Sequence, residues 1–148
     1  MNNICVNVQS TKYLKVDHPI ISIDGIPLDF YLHNLYPDSL YLGLIPTIID
    51  WITVQEDTEI ILSRYYSEEE TSILPILMCP DDCDLSCTVI VAEILKTDNL
   101  VIWRRIGVDN SKYGTPIGSE VLWLDLVPEM KFNSRDYFEK LNIIYKNI

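Results

Sequence analysis

The amino-acid sequence predicts an α+β fold, in which an antiparallel sheet, a meander of about six strands, has two or so helices packed against it. Two runs rich in β-branched residues, 87–95 and 100–108, flank a short polar loop, which is typical of a β-hairpin. An Asp24-Gly25 pair between alternating segments predicts another hairpin. A C-terminal segment repeats apolar residues at helical spacing. Because the chain contains no linker or internal repeat, we expect residues 1–148 to form a single domain.

The first third of the chain is expected to contribute strands and one helix. Residues 4–8 alternate weakly and predict an edge strand, and the first hairpin is expected to pair 21–23 with 28–32. A helix is expected to begin near Asp38, because an apolar stripe follows at helical spacing, made of Leu40, Leu44, Ile48 and Trp51. Pro46 interrupts this stripe and predicts either a kink or a helix start at that point.

The rest of the chain is expected to consist mainly of strands and to end in a helix. Residues 58–62 predict a strand, and the continuous apolar run 73–78 predicts a buried strand. A further strand is expected at 120–124. The final helix is expected to begin at Asn133 or Ser134, with one stripe formed by Tyr137, Leu141, Ile144 and Ile148.

The net charge of −11 is the most informative feature of the composition. Residues 1–74 contain 11 acidic and 3 basic residues, a net charge of −8, whereas residues 75–148 contain 11 acidic and 8 basic residues, a net charge of −3. Phosphate groups repel such a surface, so nucleic acid and anionic membranes are not expected as partners. The charge is consistent with a solvated surface and also with a face that attracts a basic partner.

No targeting or membrane segment is expected from the sequence. The apolar runs are short, whereas a helix needs about 18 apolar residues in a row to span a bilayer. The N-terminal residues lack the basic and apolar regions of a signal peptide. We therefore expect a cytoplasmic protein.

The cysteines are not expected to bind a metal ion or to form disulfides. Cys79, Cys83 and Cys87 recur at every fourth position and Cys5 is far upstream, whereas zinc sites usually contain closely spaced Cys pairs or matched Cys and His pairs. Cys83 is expected in a loop and Cys87 in the core as a small apolar side chain. A disulfide framework is not expected in a cytosolic chain of this size. The sequence therefore predicts no metal site and no cofactor.

Catalytic residues are not apparent in the sequence. Any Ser-His-Asp or Cys-His arrangement would have to use His18 or His33, and neither lies in a recognisable motif. The chain contains no glycine-rich phosphate-binding loop. No spacing singles out a pair of carboxylates as acid and base. We therefore expect a protein without enzymatic activity.

One predicted strand contains two adjacent arginines. Alternation places Trp103 and Arg105 on one face and Arg104 on the other, and Trp103 and Trp123 are expected in the core on neighbouring strands. The arginines are expected to pair with carboxylates such as Asp109 or Asp125. Alternatively, Arg104 or Arg105 binds an anionic ligand.

Several segments in the second half resemble a known group of proteins. They are Asp84–Glu93, Val101–Asp109, Ile117–Leu124 and Phe132–Leu141. The upstream Ile23-Asp24-Gly25 and Ile48–Trp51 also suit the pattern. Together they resemble the immunity proteins, small bacterial proteins encoded beside polymorphic or contact-dependent toxins. The shared features are signatures of strands and turns.

This resemblance implies a cytosolic protein without enzymatic activity that binds one toxin domain tightly. Toxins of this kind are often nucleases with basic grooves, which an acidic inhibitor would suit, so the expected partner is a basic cognate toxin domain. On charge alone, the expected partner-binding residues are Glu56, Asp57, Glu59, Glu68, Glu69 and Glu70, followed by Asp81, Asp82 and Asp84. Two alternatives remain open, namely a non-catalytic adaptor that binds some other protein and a small anionic-ligand binder that uses Arg104 and Arg105.

Overall fold

The computed structural model describes residues 1–146 and, within them, contains two antiparallel sheets and three helices. The strands are β1 (Ile4–Gln9), β2 (His18–Ile23), β3 (Ile26–Pro27), β4 (Ile45–Pro46), β5 (Thr71–Met78), β6 (Ile90–Lys96), β7 (Leu100–Asp109), β8 (Val121–Trp123) and β9 (Met130–Asn133). The helices are α1 (Leu28–Leu35), α2 (Gln55–Tyr65) and α3 (Ser134–Leu141), with a short 3-10 turn (Ile49–Trp51). The predicted α+β class is confirmed.

The strands form two sheets and not the single meander expected from the sequence. The smaller sheet has the order β1-β2-β3, and the larger has the order β4-β5-β6-β7-β8. The ninth strand, β9, pairs with the first part of β7, while β8 pairs with its second part. Strand β7 can hold both because its 10 residues are long enough to pair with two short strands in succession.

The first hairpin turns where the sequence predicts it, but its second strand is much shorter. Asp24 and Gly25 have φ angles of 52° and 84°, the left-handed conformation that a tight hairpin turn requires. The expected strand 28–32 is wrong, because these residues belong to α1. Leu28 and Leu32 are fully buried while Phe30 between them is 46% exposed, so the apolar residues follow a helical period.

The helix expected from Asp38 to Trp51 is not present. This segment contains only β4 and the 3-10 turn, and Leu40 is 91% exposed. Pro46 lies in β4, where Ile45 and Pro46 pair with Met78 and Leu77 of β5. Proline has no backbone N–H group to donate, and it is tolerated in a short edge strand of this kind. The apolar stripe in the sequence was therefore produced by a loop that packs several separate side chains into the core.

The strand expected at 58–62 is also wrong, because these residues form the middle of α2. Ile61 and Tyr65 are buried four residues apart, which is one turn of helix. Glu56 and Asp57 occupy the first turn, where negative charge interacts favourably with the helix dipole.

The core joins both sheets and all three helices. Trp103 in β7 is fully buried and its indole N–H donates to the hydroxyl of Tyr137 in α3 at 3.1 Å. Ile21 and Ile23 of the smaller sheet belong to the same apolar cluster. One continuous apolar cluster therefore connects the N-terminal sheet to the rest of the fold.

The C-terminal helix begins as the sequence predicts. Asn133 caps α3, and its side chain accepts a hydrogen bond from the backbone N–H of Asp136 at 3.1 Å. Helix α3 ends at Leu141, but Ile144 beyond it is still buried. Ile148, the last residue of the expected stripe, lies outside the described residues. Within residues 1–146, no helix is both long and apolar enough to cross a lipid bilayer.

Candidate functional site

The nine acidic residues expected to bind a partner follow α2 from one end to the other. Glu56, Asp57 and Glu59 lie in the first half of the helix, and 68–70 follows its C-terminal end. The loop 81–84 packs beside its N-terminal end. We call these nine residues the acidic ridge. An α-helix of 11 residues is about 16 Å long, so the acidic ridge extends over at least that length of the surface.

Hydrogen bonds join the loop 81–84 to the start of α2. The backbone N–H of Leu85 donates to the Asp57 carboxylate at 3.0 Å, and the N–H of Thr53 donates to the carbonyl of Cys83 at 3.3 Å. The Asp84 carboxylate accepts from the backbone N–H of Ser86 at 2.9 Å. Asp57 and Asp84 therefore shape the site, and their carboxylates are less free to bind a partner than those of the exposed residues.

The other end of the acidic ridge is shaped by two cations that bind backbone carbonyls. Arg64 donates to the carbonyl oxygens of Ile73 and Ile117 at 2.7 and 2.8 Å. Lys96 donates to the carbonyl oxygens of Tyr65 and Ser67 at 3.2 and 2.7 Å, which caps the C-terminal end of α2. Burial lowers the pKa of Lys96. Both cations are thus used to hold the chain that carries 68–70.

The carboxylates of the acidic ridge are not neutralised by ion pairs in the part of the chain that is described. The three ion pairs found there join Arg104 and Arg105 to Glu93, and Lys131 to Glu129. Seven residues of the acidic ridge accept no hydrogen bond from the backbone, and all seven are exposed. They are Glu56, Glu59, Glu68, Glu69, Glu70, Asp81 and Asp82. The acidic ridge is therefore a solvated surface of uncompensated negative charge.

Arg104 and Arg105 lie on the same side of the larger sheet, contrary to the strict alternation expected. The pairing of β6 with β7 shifts by one residue between Glu93 and Ile94, so Arg104 is the extra residue of a β-bulge. Both guanidinium groups contact Glu93, at 4.0 Å from Arg104 and 3.1 Å from Arg105. The expected pairing with Asp109 or Asp125 is wrong, because the partner carboxylate comes from the neighbouring strand.

Trp123 contributes to this arginine cluster and does not lie in the core. Its ring stacks against the guanidinium of Arg105, whose Cζ is 3.9 Å from the ring centroid. The tryptophan is half-buried, whereas Trp103 is fully buried as expected. An anionic ligand at Arg105 would therefore have to displace the Glu93 carboxylate from it.

Three of the cysteines lie in the loop between β5 and β6. The ligand atoms of Cys79, Cys87 and Asp82 all lie within 4.8 Å of one another. Burial, followed by the neighbouring Cys87 thiol, raises the pKa of the Cys79 thiol to about 11. Cys83 is in the loop as expected, with its thiol 3.2 Å from the carbonyl oxygen of Pro80. Cys87 is exposed, so the expectation that it packs in the core is wrong.

The two histidines occupy separate sites. His18 is buried at the start of β2, where its Nδ1 lies 2.8 Å from the carbonyl oxygen of Val16 and its ring packs near Trp51. His33 lies in the last turn of α1, beside the ring of Phe30. Among residues 1–146, neither ring hydrogen-bonds to a hydroxyl, a thiol or a carboxylate.

A cleft of about 360 Å³ lies beside the smaller sheet. Its walls are mostly apolar and include Phe30 and Leu44. Of its polar residues, Asp29 accepts a hydrogen bond from the N–H of Gly43 at 2.9 Å, and His18 uses its Nδ1 as described above. The cleft therefore offers apolar surface more than convergent polar groups.

Comparisons of the chain with protein-family models, curated proteins and solved structures found no match.

Sequence reasoning missed the two groupings that depend on how the strands pair. The Arg104-Arg105-Glu93 cluster depends on a bulge, and the proximity of Cys79, Asp82 and Cys87 depends on the path of a loop. A signal was present for the second grouping, because three thiols and three carboxylates fall within nine residues. Their spacing matches neither the closely spaced Cys pairs nor the matched Cys and His pairs of common zinc motifs.

Proposed function

We propose that this protein is an immunity protein that binds and neutralises a cognate bacterial toxin by occluding its active site. The proposed partner is a basic toxin domain, such as a nuclease with a basic groove. The proposed site of action is the cytoplasm, because an immunity protein must meet the toxin where it would do damage. The proposal assigns no catalytic step and no cofactor to the chain.

The observation that carries this proposal is the uncompensated charge of the acidic ridge. Exposed carboxylates without ion-pair partners repel one another, which costs stability in the free protein. A basic partner would relieve this repulsion and would be drawn to the surface from a distance. The helix at the centre of the ridge, α2, holds Glu56, Asp57 and Glu59 in place, which favours a matched and specific interface.

The position of the acidic ridge also fits a blocking function. It combines a helix with the loops on both sides, and a surface of this kind can cover an active-site groove. Asp57 and Asp84 hold the first loop through backbone hydrogen bonds. Arg64 and Lys96 hold the second loop through backbone carbonyls. Because little chain would have to be ordered on binding, more of the interaction energy would appear as affinity.

A rescue experiment tests the proposal. Bacteria that express the toxin encoded beside this gene should survive when this protein is co-expressed and die when it is absent. Survival with an unrelated toxin should not improve, because a specific interface is expected to discriminate between partners. If the neighbouring toxin kills equally well in the presence of this protein, measured by colony counts at matched expression levels, the immunity function is excluded.

A further inference from the structure

The loop between β5 and β6 brings two thiols close to a carboxylate of the acidic ridge, that of Asp82. The Sγ atoms of Cys79 and Cys87 and a carboxylate oxygen of Asp82 all lie within 4.8 Å of one another. We propose that these three residues bind a thiophilic divalent cation, with Zn²⁺ as the ion that fits the donor set. This site would exist whether or not the protein binds a toxin.

Strand pairing explains why residues separated in sequence meet here. Cys79 directly follows the last residue of β5, and Cys87 lies three residues before β6 begins at Ile90. The two strands are antiparallel, with Leu77 paired to Ile90, so both cysteines lie at the same end of the hairpin. The Cys79 thiol is 3.9 Å from the carbonyl oxygen of Thr88, directly beside Cys87.

A turn inside the loop returns the carboxylate to the two thiols. The backbone N–H of Cys83 donates to the carbonyl of Cys79 at 3.1 Å, and Cys83 adopts a positive φ of 50°. This turn reverses the chain just after Asp82. The thiol of Cys83 lies 3.2 Å from the carbonyl oxygen of Pro80, so Cys83 is not part of the proposed ligand set.

The distances suit zinc after small side-chain rotations. Zinc binds sulfur at about 2.3 Å and carboxylate oxygen at about 2.1 Å, so two sulfur ligands of a tetrahedral ion are separated by roughly 3.8 Å. The three donor atoms already lie within 4.8 Å of one another, and Asp82 and Cys87 are exposed. Water can fill a fourth position on the solvent side.

The donor types select the class of cation. Two sulfur ligands disfavour Mg²⁺ and Ca²⁺, which prefer oxygen ligands, and the carboxylate disfavours Cu⁺ relative to Zn²⁺. Asp81 and Asp84 lie in the same loop and add negative charge near the ion. The expectation of a metal-free chain came from the spacing of the cysteines along the sequence, and the folded hairpin supplies the third donor that this spacing did not reveal.

Metal titration of the reduced protein tests this proposal. The protein is kept in a phosphine reductant, so that the thiols stay free, and is titrated with Zn²⁺ in competition with a chromophoric chelator. We expect one ion per chain. Co²⁺ is then used as a spectroscopic probe, and binding should produce the near-ultraviolet charge-transfer absorption of a cobalt thiolate together with the intense visible bands of tetrahedral cobalt.

Variants identify the ligands. Cys79→Ser, Cys87→Ser and Asp82→Asn should each weaken zinc binding at least about tenfold, since even the loss of an outer-shell partner costs that much at many metal sites. Cys5→Ser in β1 and Cys83→Ser in the same loop are the matched controls and should keep the wild-type affinity. Because Cys87 and Asp82 are exposed, their variants are expected to fold normally, which a thermal unfolding measurement checks.

Two results would overturn the proposal. One is a wild-type affinity for Zn²⁺ no higher than that of the Cys79→Ser/Cys87→Ser double variant. The other is a loss of binding in Cys83→Ser with no effect of Asp82→Asn, since the ion would then be held by three cysteines and not by the proposed set. Wild-type binding of one ion with losses confined to the three proposed ligands supports it.

Discussion

Trp103 and Trp123 lie on neighbouring strands but in different surroundings. Trp103 is fully buried and hydrogen-bonds to Tyr137, while Trp123 is half-buried and stacks on Arg105. Trp103→Ala should lower the free energy of unfolding by about 3–5 kcal/mol, the usual range for a large aromatic side chain in a core. Trp123→Ala should lower it by about 1–2 kcal/mol, since it removes a partly exposed contact and a cation–π interaction.

Urea denaturation of the two variants measures this difference. Tyr137→Phe is the control for the hydrogen bond, because it leaves the buried indole N–H of Trp103 without its partner while it keeps the packing. Its cost should be about 1–3 kcal/mol. Equal losses for Trp103→Ala and Trp123→Ala would mean that the two side chains are equally buried, contrary to the structure.

At the scale of single residues, the sequence predicts burial well and side-chain direction less well. The burial of Trp103 follows from its position in an apolar, β-branched run. The alternation rule then fails at Arg104, which is the extra residue of the bulge. Beyond a bulge, every following side chain of the strand lies on the opposite face from the one that strict alternation predicts. Such a bulge depends on the partner strand and leaves no mark in the sequence of β7 alone. The donor group of Cys79, Asp82 and Cys87 was missed for a similar reason.

At the scale of elements, aromatic side chains join α2 to α3 and to the segment that follows. Tyr65 packs its ring against Phe138 and Tyr145, at centroid distances of 5.7 and 4.7 Å. The Tyr65 hydroxyl donates to the Asn142 side chain at 2.7 Å, and the Tyr145 hydroxyl lies 2.9 Å from the Thr47 hydroxyl. Together, these ring contacts and hydrogen bonds hold α2, the helix at the centre of the acidic ridge, against the C-terminal part of the fold.

Burial raises the pKa of Tyr65, Tyr137 and Tyr145 above the usual value near 10. Each phenol is neutral when folded, so the folded state retains protons that the unfolded chain releases above about pH 10. The stability contributed by these groups is therefore complete below that pH and is lost as the pH rises above it. In an alkaline absorbance titration, at least three of the nine tyrosines should ionise only together with unfolding.

Tyr65→Phe provides the control for this titration. The variant should show one fewer late-ionising phenol, while Tyr137 and Tyr145 should still titrate with unfolding. If all tyrosines ionise with a pKa near 10 while near-ultraviolet circular dichroism remains native, the three hydroxyl groups are not buried as described.

The elements that the sequence predicts correctly are those with strong local signals. The β6–β7 hairpin has two long runs of β-branched residues, and α3 has an Asn133 cap followed by a helical stripe. The strand predicted at 58–62 was wrong because Thr, Ile and Leu suit both a strand and one turn of helix. Packing decided the outcome: Ile61 and Tyr65 are buried while Ser63 between them is exposed, whereas in a strand all three would lie on one face. The split into two sheets likewise depends on contacts between distant segments.

At the scale of the whole molecule, part of the negative charge is concentrated on the acidic ridge. The chain carries a net charge of −11, and the ion pairs found within residues 1–146 do not involve the acidic ridge. A charged surface of this type increases the rate of association with an oppositely charged partner more than it increases affinity once bound. The proposed function can therefore be tested through the rate of association.

If the proposed partner is a basic toxin domain, its association should slow markedly between low salt and physiological ionic strength, because salt screens charges farther apart than about 8–10 Å. The double reversal Glu68→Lys/Glu69→Lys should slow association at low salt and reduce its dependence on salt, as stopped-flow fluorescence can measure. The matched control is Asp38→Lys/Asp125→Lys, two exposed acids outside the acidic ridge. The segments that carry Asp38 and Asp125 are joined by a hydrogen bond from the N–H of Leu126 to the hydroxyl of Tyr36.

Both double variants change the net charge equally, from −11 to −7, because each replaces two negative charges with two positive charges. A larger effect for Glu68→Lys/Glu69→Lys would therefore come from the position of the charges and not from their number. Equal effects of the two variants would mean that the toxin responds only to net charge, and the acidic ridge would lose its assignment as the interface. An unchanged rate in both, with rescue of cells intact, would place the interface on another surface while the immunity function stands.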